Sequence, residues 1–136
     1  MNHALDILLP HRAPMQWIDA LIECDETTAV ARVRFHEKHF AVSEGRVCET
    51  ALVECIAQTV AAAMGERARR KKSLNITSSG MLTGVSNFKI EKPPPLHREL
   101  RIEIRESNRL GPMLRIVGKI SDDGQIIASG ELTLYA

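Results

Sequence analysis

The feature that most limits how this chain can fold is the run from residue 50 to residue 64, apolar on nearly every side. Ala51, Leu52, Val53, Cys55, Ile56 and Val60 leave little room for a polar face, and alanine crowds the second half. A helix of this character has to be buried by other elements on several sides. Glu54 stands out against it, because an isolated ionised carboxylate is expensive to bury unless it is paired or takes up a proton. Thr50, Glu54 and Gln58 recur at i, i+4 and i+8, so they form one narrow polar strip along the helix.

The flanking segments read as strands. Residues 15–24 are strand-like, Asp25-Glu26-Thr27-Thr28 supplies a turn, and residues 29–35 alternate apolar with polar as a half-buried strand does. Residues 36–48 lack periodicity and carry Ser43-Glu44-Gly45, so they read as a loop leading into the helix. Residues 81–89, 99–106, 114–120 and 126–135 are strand candidates, with residues 108–112 as a connection and Asp122-Asp123-Gly124 as a hairpin turn. Residues 5–9 are a short covering segment stopped by Pro10, and residues 73–80 a polar linker. Two strands, a buried helix and about four more strands predict an α+β domain with an antiparallel sheet wrapped on the helix. With 136 residues, the chain is expected to form a single domain, residues 1–136. One curved sheet covers only part of such a helix, so a homodimer joined edge to edge is expected.

Composition narrows the function. The net charge of +1 and only five aromatic residues argue against a nucleic-acid surface. Three cysteines without a C-x-x-C pattern argue against a disulfide framework and fit a reducing cytoplasm. No run approaches membrane-spanning length, so no membrane insertion is expected. No P-loop, G-x-G-x-x-G or G-x-S-x-G motif occurs.

What remains is acid–base chemistry. His39 precedes the helix by a loop and Glu54 lies about one turn into it, a spacing that lets both reach one cleft. The alternative is a loop histidine bonded to backbone and a glutamate that reaches solvent. His36 and His39 at i, i+3 do not make a metal site, because the pattern is not H-E-x-x-H and no third ligand is near; no cofactor is expected. Cys48 and Cys55 read as core or near-core residues. Arg67, Arg69, Arg70, Lys71 and Lys72 suit the negative end of the helix dipole, and offer a docking patch for an acidic carrier protein or a phosphate-bearing arm.

Several stretches then resemble one family. Leu9-Pro10-His11-Arg12-Ala13-Pro14-Met15 followed by Trp17-Ile18-Asp19 is similar to the LPHRxPF…VD opening of the FabA/FabZ-type 3-hydroxyacyl-[acyl-carrier-protein] dehydratases. His39-Phe40 resembles the start of their HFPGxPxxPG loop, and Leu52 through Thr59 their L-(I/L)-x-E-A-x-A-Q-(T/A) helix. The segment from Gly84 to Pro93 resembles a further stretch that carries an aromatic, here Phe88. The resemblance implies a hotdog fold that dimerises by sheet extension, working in fatty acid biosynthesis or a related lipid pathway. It implies that His39 takes the C2 proton of a 3-hydroxyacyl thioester on acyl carrier protein or coenzyme A. Glu54, from across the dimer, would help the 3-hydroxyl leave, and a backbone N–H near the helix start would polarise the thioester carbonyl. Cys48, Glu49, Thr50, Gln58 and Phe88 would contact substrate. The family's proline after His-Phe is Ala41 here, its Pro-Gly before the helix is replaced by Cys48-Glu49, and one extra residue separates His39 from Glu54. A hotdog acyl-thioesterase, with Glu54 activating water, and a non-catalytic acyl-binding partner subunit are the alternative readings.

Overall fold

A computed structural model describes residues 15–71 and 81–135. In chain order the elements are β1 (Ala20–Cys24), β2 (Thr28–Arg34), β3 (Val42–Ser43), β4 (Arg46–Val47) and helix α1 (Thr50–Arg70). Then follow β5 (Met81–Ile90), β6 (Glu99–Leu110), β7 (Met113–Asp122) and β8 (Gln125–Tyr135). Six strands form one antiparallel sheet in the order β1-β2-β6-β7-β8-β5, and β3 with β4 forms a separate hairpin. α1 packs against β1, β2, β6 and β7, which gives the hotdog arrangement of one long helix held by one large sheet.

Strand alternation puts the core on the helix side. Ala29, Ala31 and Val33 of β2 are buried while Arg32 and Arg34 are exposed. Their register partners repeat the pattern, Ala31 opposite Ile102 and Val33 opposite Leu100 inside, Arg32 opposite Arg101 and Arg34 opposite Glu99 outside. Leu52 and Ile56 of α1 meet this surface with no exposed area, and each such side chain contributes about 1.5–3 kcal/mol by leaving water. Gly118 of β7 lets Ile56 approach closely, since a Cβ built there would lie 2.7 Å from Ile56 Cγ2.

The helix ends at Arg70, within the basic run expected at its C-terminal end, and in its last turns the buried Glu66 carboxylate accepts hydrogen bonds from Arg69 (2.8 Å) and Arg70 (3.2 Å). Three boundaries differ from the sequence expectation. Residues 15–19 are not strand; they are held to the helix by a side chain described below. β6 continues through residues 108–110, because a register shift between Glu106 and Asn108 absorbs one residue and the ladder with β7 resumes. The loop of residues 36–48 contains the β3–β4 hairpin, whose Glu44 and Gly45 have φ of 52° and 74°, the left-handed pair a two-residue turn needs. Asp123 and Gly124, at 49° and 84°, make the same turn between β7 and β8. Residues 5–9, the His11-Arg12 pair, Lys72 and the linker at 73–80 lie outside the described residues.

Candidate active site

Gln58 organises the strip on α1. Its side chain has no exposed area, and all four of its hydrogen-bonding positions are used. Oε1 accepts the backbone N–H groups of Trp17 (2.9 Å) and Ile18 (3.3 Å), while Nε2 donates to the Met15 carbonyl (2.6 Å) and to Glu54 Oε1 (3.2 Å). Two backbone donors on one oxygen fix which end of the amide is which. Nothing of the amide is left for a substrate, so Gln58 pins residues 15–18 to the helix and orients Glu54. Glu54 itself is half-buried.

The segment that Gln58 pins carries Trp17, whose ring lies 5.9 Å from that of His39, edge to face. Phe35 and His36 stand edge-on to the same imidazole at 4.8 and 5.8 Å. The His39 loop is tied at both ends, with the His39 N–H donating to the His36 carbonyl and the Val42 N–H to the His39 carbonyl, each at 2.9 Å. The Ala41 N–H donates to His39 Nδ1 at 3.0 Å. Desolvation, with a smaller contribution from His36, holds the His39 pKa below its ordinary value against the opposing charge of Asp19. His39 opens onto a cleft of about 550 Å³ shared with Trp17, Asp19, Arg34 and His36. Glu54 is not among the residues lining it. Within one chain, therefore, His39 and Glu54 flank the Trp17 segment without sharing that cleft.

At the helix start the three expected contact residues are exposed. Glu49 occupies the N-cap position in helical conformation, and its side chain makes no capping bond. Cys48 Sγ and Thr50 Oγ1 are 3.0 Å apart, and this contact, with the N–H groups of Thr50 and Ala51, lowers the thiol pKa. Cys48 is thus an exposed thiol beside a helix N-terminus, not a core residue; burial pushes the thiols of Cys24 and Cys55 up instead. Thr50 turns to Cys48, so only Glu54 and Gln58 of the strip are joined. Phe88 lies on β5, at the opposite end of the sheet from β1, beside Gly130.

The basic run at the helix end is largely engaged within the chain. Arg67 donates to the carbonyls of Asp25 (2.7 Å) and Thr28 (3.2 Å), Arg70 to that of Cys24 (2.6 Å), and Arg69 and Arg70 to Glu66. Arg67 and Arg70 clasp α1 to the β1–β2 turn while Arg69 pairs with Glu66 within the helix, and Lys71 is exposed. A larger open cleft of about 770 Å³ on the polar side of the sheet contains paired charges, Arg98 with Asp122 and Arg101 with Glu103, and neither His39 nor Glu54. Among the described residues no cluster of three or more His, Cys, Asp or Glu could hold a metal ion, and no helix is long and apolar enough to cross a membrane. Sequence reasoning singled out His39 and Glu54 as candidates and gave no role to the ring of Trp17 or to the Ala41 N–H, which any non-proline residue at that position would supply.

Comparison with known proteins agrees with the hotdog fold. A family model described as ApeP-like, ApeP dehydratase, matches residues 3–136. The 3-hydroxyacyl-[acyl-carrier-protein] dehydratase FabZ of Geobacillus sp. (strain WCH70) is 27% identical over 134 residues, covering 94% of this chain and 89% of that protein. Among solved structures, the dehydratase heterocomplex ApeI:P from Xenorhabdus doucetiae superposes with a TM-score of 0.89 at 21% identity, covering 99% of this chain and 91% of that one. An HP0420 homologue from Helicobacter felis superposes with a TM-score of 0.73 at 11% identity, covering 96% and 85%.

Proposed function

The chain belongs to the ApeP-like dehydratase family, and on that premise we propose that it removes water from a 3-hydroxyacyl thioester, with His39 and Glu54 as the reacting pair. The observation that carries this reading is the Gln58 bridge. One fully used amide holds both the Glu54 carboxylate and the backbone of Trp17, whose ring packs on His39. Elimination needs a base for the C2 proton, a proton for the departing hydroxyl and a donor on the thioester oxygen, all sheltered from water. In a dimer joined through β5, the two residues would meet across the protomer boundary. Acyl carrier protein or coenzyme A would deliver the thioester, and the dimer itself excludes water from the acyl chain.

The test is to incubate the protein with 3-hydroxyacyl and acyl thioesters, following enoyl formation and thiol release together. Enoyl product is expected, with kcat/KM falling about 10²–10⁴-fold in His39→Ala and Glu54→Gln. Thiol release without enoyl product would replace the reading with thioester hydrolysis. A second reading, a subunit working beside another hotdog chain, is favoured by Cys48-Glu49 at the helix start and by the solved relative being a heterocomplex. Its sign would be turnover only when a second hotdog chain is added.

A further inference from the structure

We propose that His97 is a positioning residue for His39, gripping the turn from His36 to His39 out of the β5–β6 connection and so setting where the His39 imidazole stands. This rests on the dehydration reading above and leaves the parts played by His39 and Glu54 unchanged.

His97 has φ of 63°, in the left-handed region that glycine enters freely and a residue with a Cβ does not. Its backbone N–H donates to the Phe35 carbonyl at 2.8 Å, a bond that glycine would make equally well. What glycine would lack is the ring, whose Nε2 lies 2.6 Å from Glu37 Oε1. An ionised carboxylate only accepts, so the proton is on Nε2 and the bond is charge-assisted. This contact is the main reason that the Glu37 carboxyl lies below its ordinary range, with help from its own backbone N–H. Both side chains are largely exposed, 58% for His97 and 65% for Glu37, so the pair adds little to the stability of the fold. A strained backbone conformation that ends in a contact of little stabilising value points to a use for the contact in placing a neighbour.

That neighbour is His39. Glu37 and Lys38 are the middle of a turn closed by the His39 N–H on the His36 carbonyl at 2.9 Å. His97 therefore holds the chain on both sides of His36, by backbone at Phe35 and by side chain at Glu37. One residue earlier, the Arg34 N–H donates to Asp19 Oδ2 at 2.7 Å and fixes the exit of β2. Phe35 is fully buried, with its ring 4.8 Å from that of His39. The segment that carries His97 is itself anchored. Pro94 is buried, Leu96 packs against the core, and Arg98 Nε lies 2.8 and 3.0 Å from the two carboxylate oxygens of Asp122. Without the ring, the turn loses its hold at Glu37 and can pivot about Phe35. A displacement of about 1 Å at a reacting group costs up to about 10²-fold in rate.

His97→Gly removes the ring, relieves the backbone and keeps the bond to Phe35, while Glu37→Ala removes the partner. Amide hydrogen exchange needs no turnover. It is expected to be at least about threefold faster over residues 36–42 in both variants and in the double variant, with the melting temperature unchanged. With 3-hydroxyacyl thioesters, kcat is expected to fall about tenfold in each single variant while KM stays within about twofold. The double variant should lose no more than either single one, because both remove the same contact. Glu37→Gln keeps an acceptor for the Nε2–H and should retain most of the rate. Unaltered exchange over residues 36–42 in His97→Gly, multiplying losses in the double variant, or full kcat in both single variants would overturn the proposal. So would a fall in melting temperature that parallels the loss of kcat, which would make His97 a residue of stability only. Faster exchange in the variants of a wild type that dehydrates nothing would uphold the grip on the turn and overturn the dehydration reading alone.

Discussion

Cys48 shows how far one side chain departs from its type when the backbone around it is fixed. Its thiol is exposed, touches Thr50 Oγ1 at 3.0 Å and faces the N–H groups that open α1, all of which favour thiolate, while the Glu49 charge opposes weakly. Its pKa lies below the ordinary 9.0, so the thiolate fraction near neutrality is larger than for a free thiol. A timed labelling series with iodoacetamide, read by peptide mass spectrometry, should therefore modify Cys48 first, with a rate midpoint below pH 9.0. Thr50→Val should move that midpoint upward, and labelling of Cys24 or Cys55 ahead of Cys48 would contradict the geometry. At this scale the sequence was informative in part. Spacing alone put Glu54 and Gln58 on one helix face, where they are bonded at 3.2 Å. It could not say that Thr50 turns away to a thiol, or that Gln58 is consumed by residues 15–18, because both depend on where a distant backbone lands.

The helix and sheet meet through fitted surfaces more than through specific bonds, and Gly118 lies close against Ile56. Replacing Gly118 with alanine would drive a methyl to within 2.7 Å of Ile56 Cγ2 on a side chain with no exposed area. The expected loss is about 1–3 kcal/mol in chemical denaturation. Ile56→Ala alone should lose about 2–5 kcal/mol, and the double variant should lose less than the sum because the Cγ2 that the new methyl would strike is gone. Strict additivity would mean that the two positions do not press on each other. The elements themselves were readable where periodicity was strong: β2, the first four turns of α1 and the β7–β8 turn at Asp123-Gly124 lie where alternation and turn chemistry put them. Reading failed where long-range contacts decide. Glu66 looks like a surface residue in sequence, yet it is buried beneath two arginines in the last turns of α1. Of the run of positive charge that resembled a docking patch, Arg67 and Arg70 bond the β1–β2 turn and Arg69 bonds Glu66 of the same helix.

At the scale of the whole molecule, the two ends of the sheet are unlike. β1 is five residues long and presents the exposed Glu23, both features that discourage a neighbouring strand. β5 is ten residues long, is paired with β8 on one side, and exposes Leu82 and Val85. An antiparallel pairing of two β5 strands about a twofold axis would be self-complementary and would extend one sheet through both protomers. It would also change the environment of Phe88, which a single chain leaves at the far end of the sheet from the His39 cleft. Placing like charges on both strands, as in the double variant Leu82→Lys and Val85→Lys, should oppose that pairing without touching the core. Light scattering after gel filtration should then give the mass of one chain while circular dichroism stays unchanged, and dehydration should be lost because His39 and Glu54 no longer complete one site. A variant that remains dimeric would move the interface elsewhere, and a fully active monomer would mean that one chain closes its own site around the Trp17 segment.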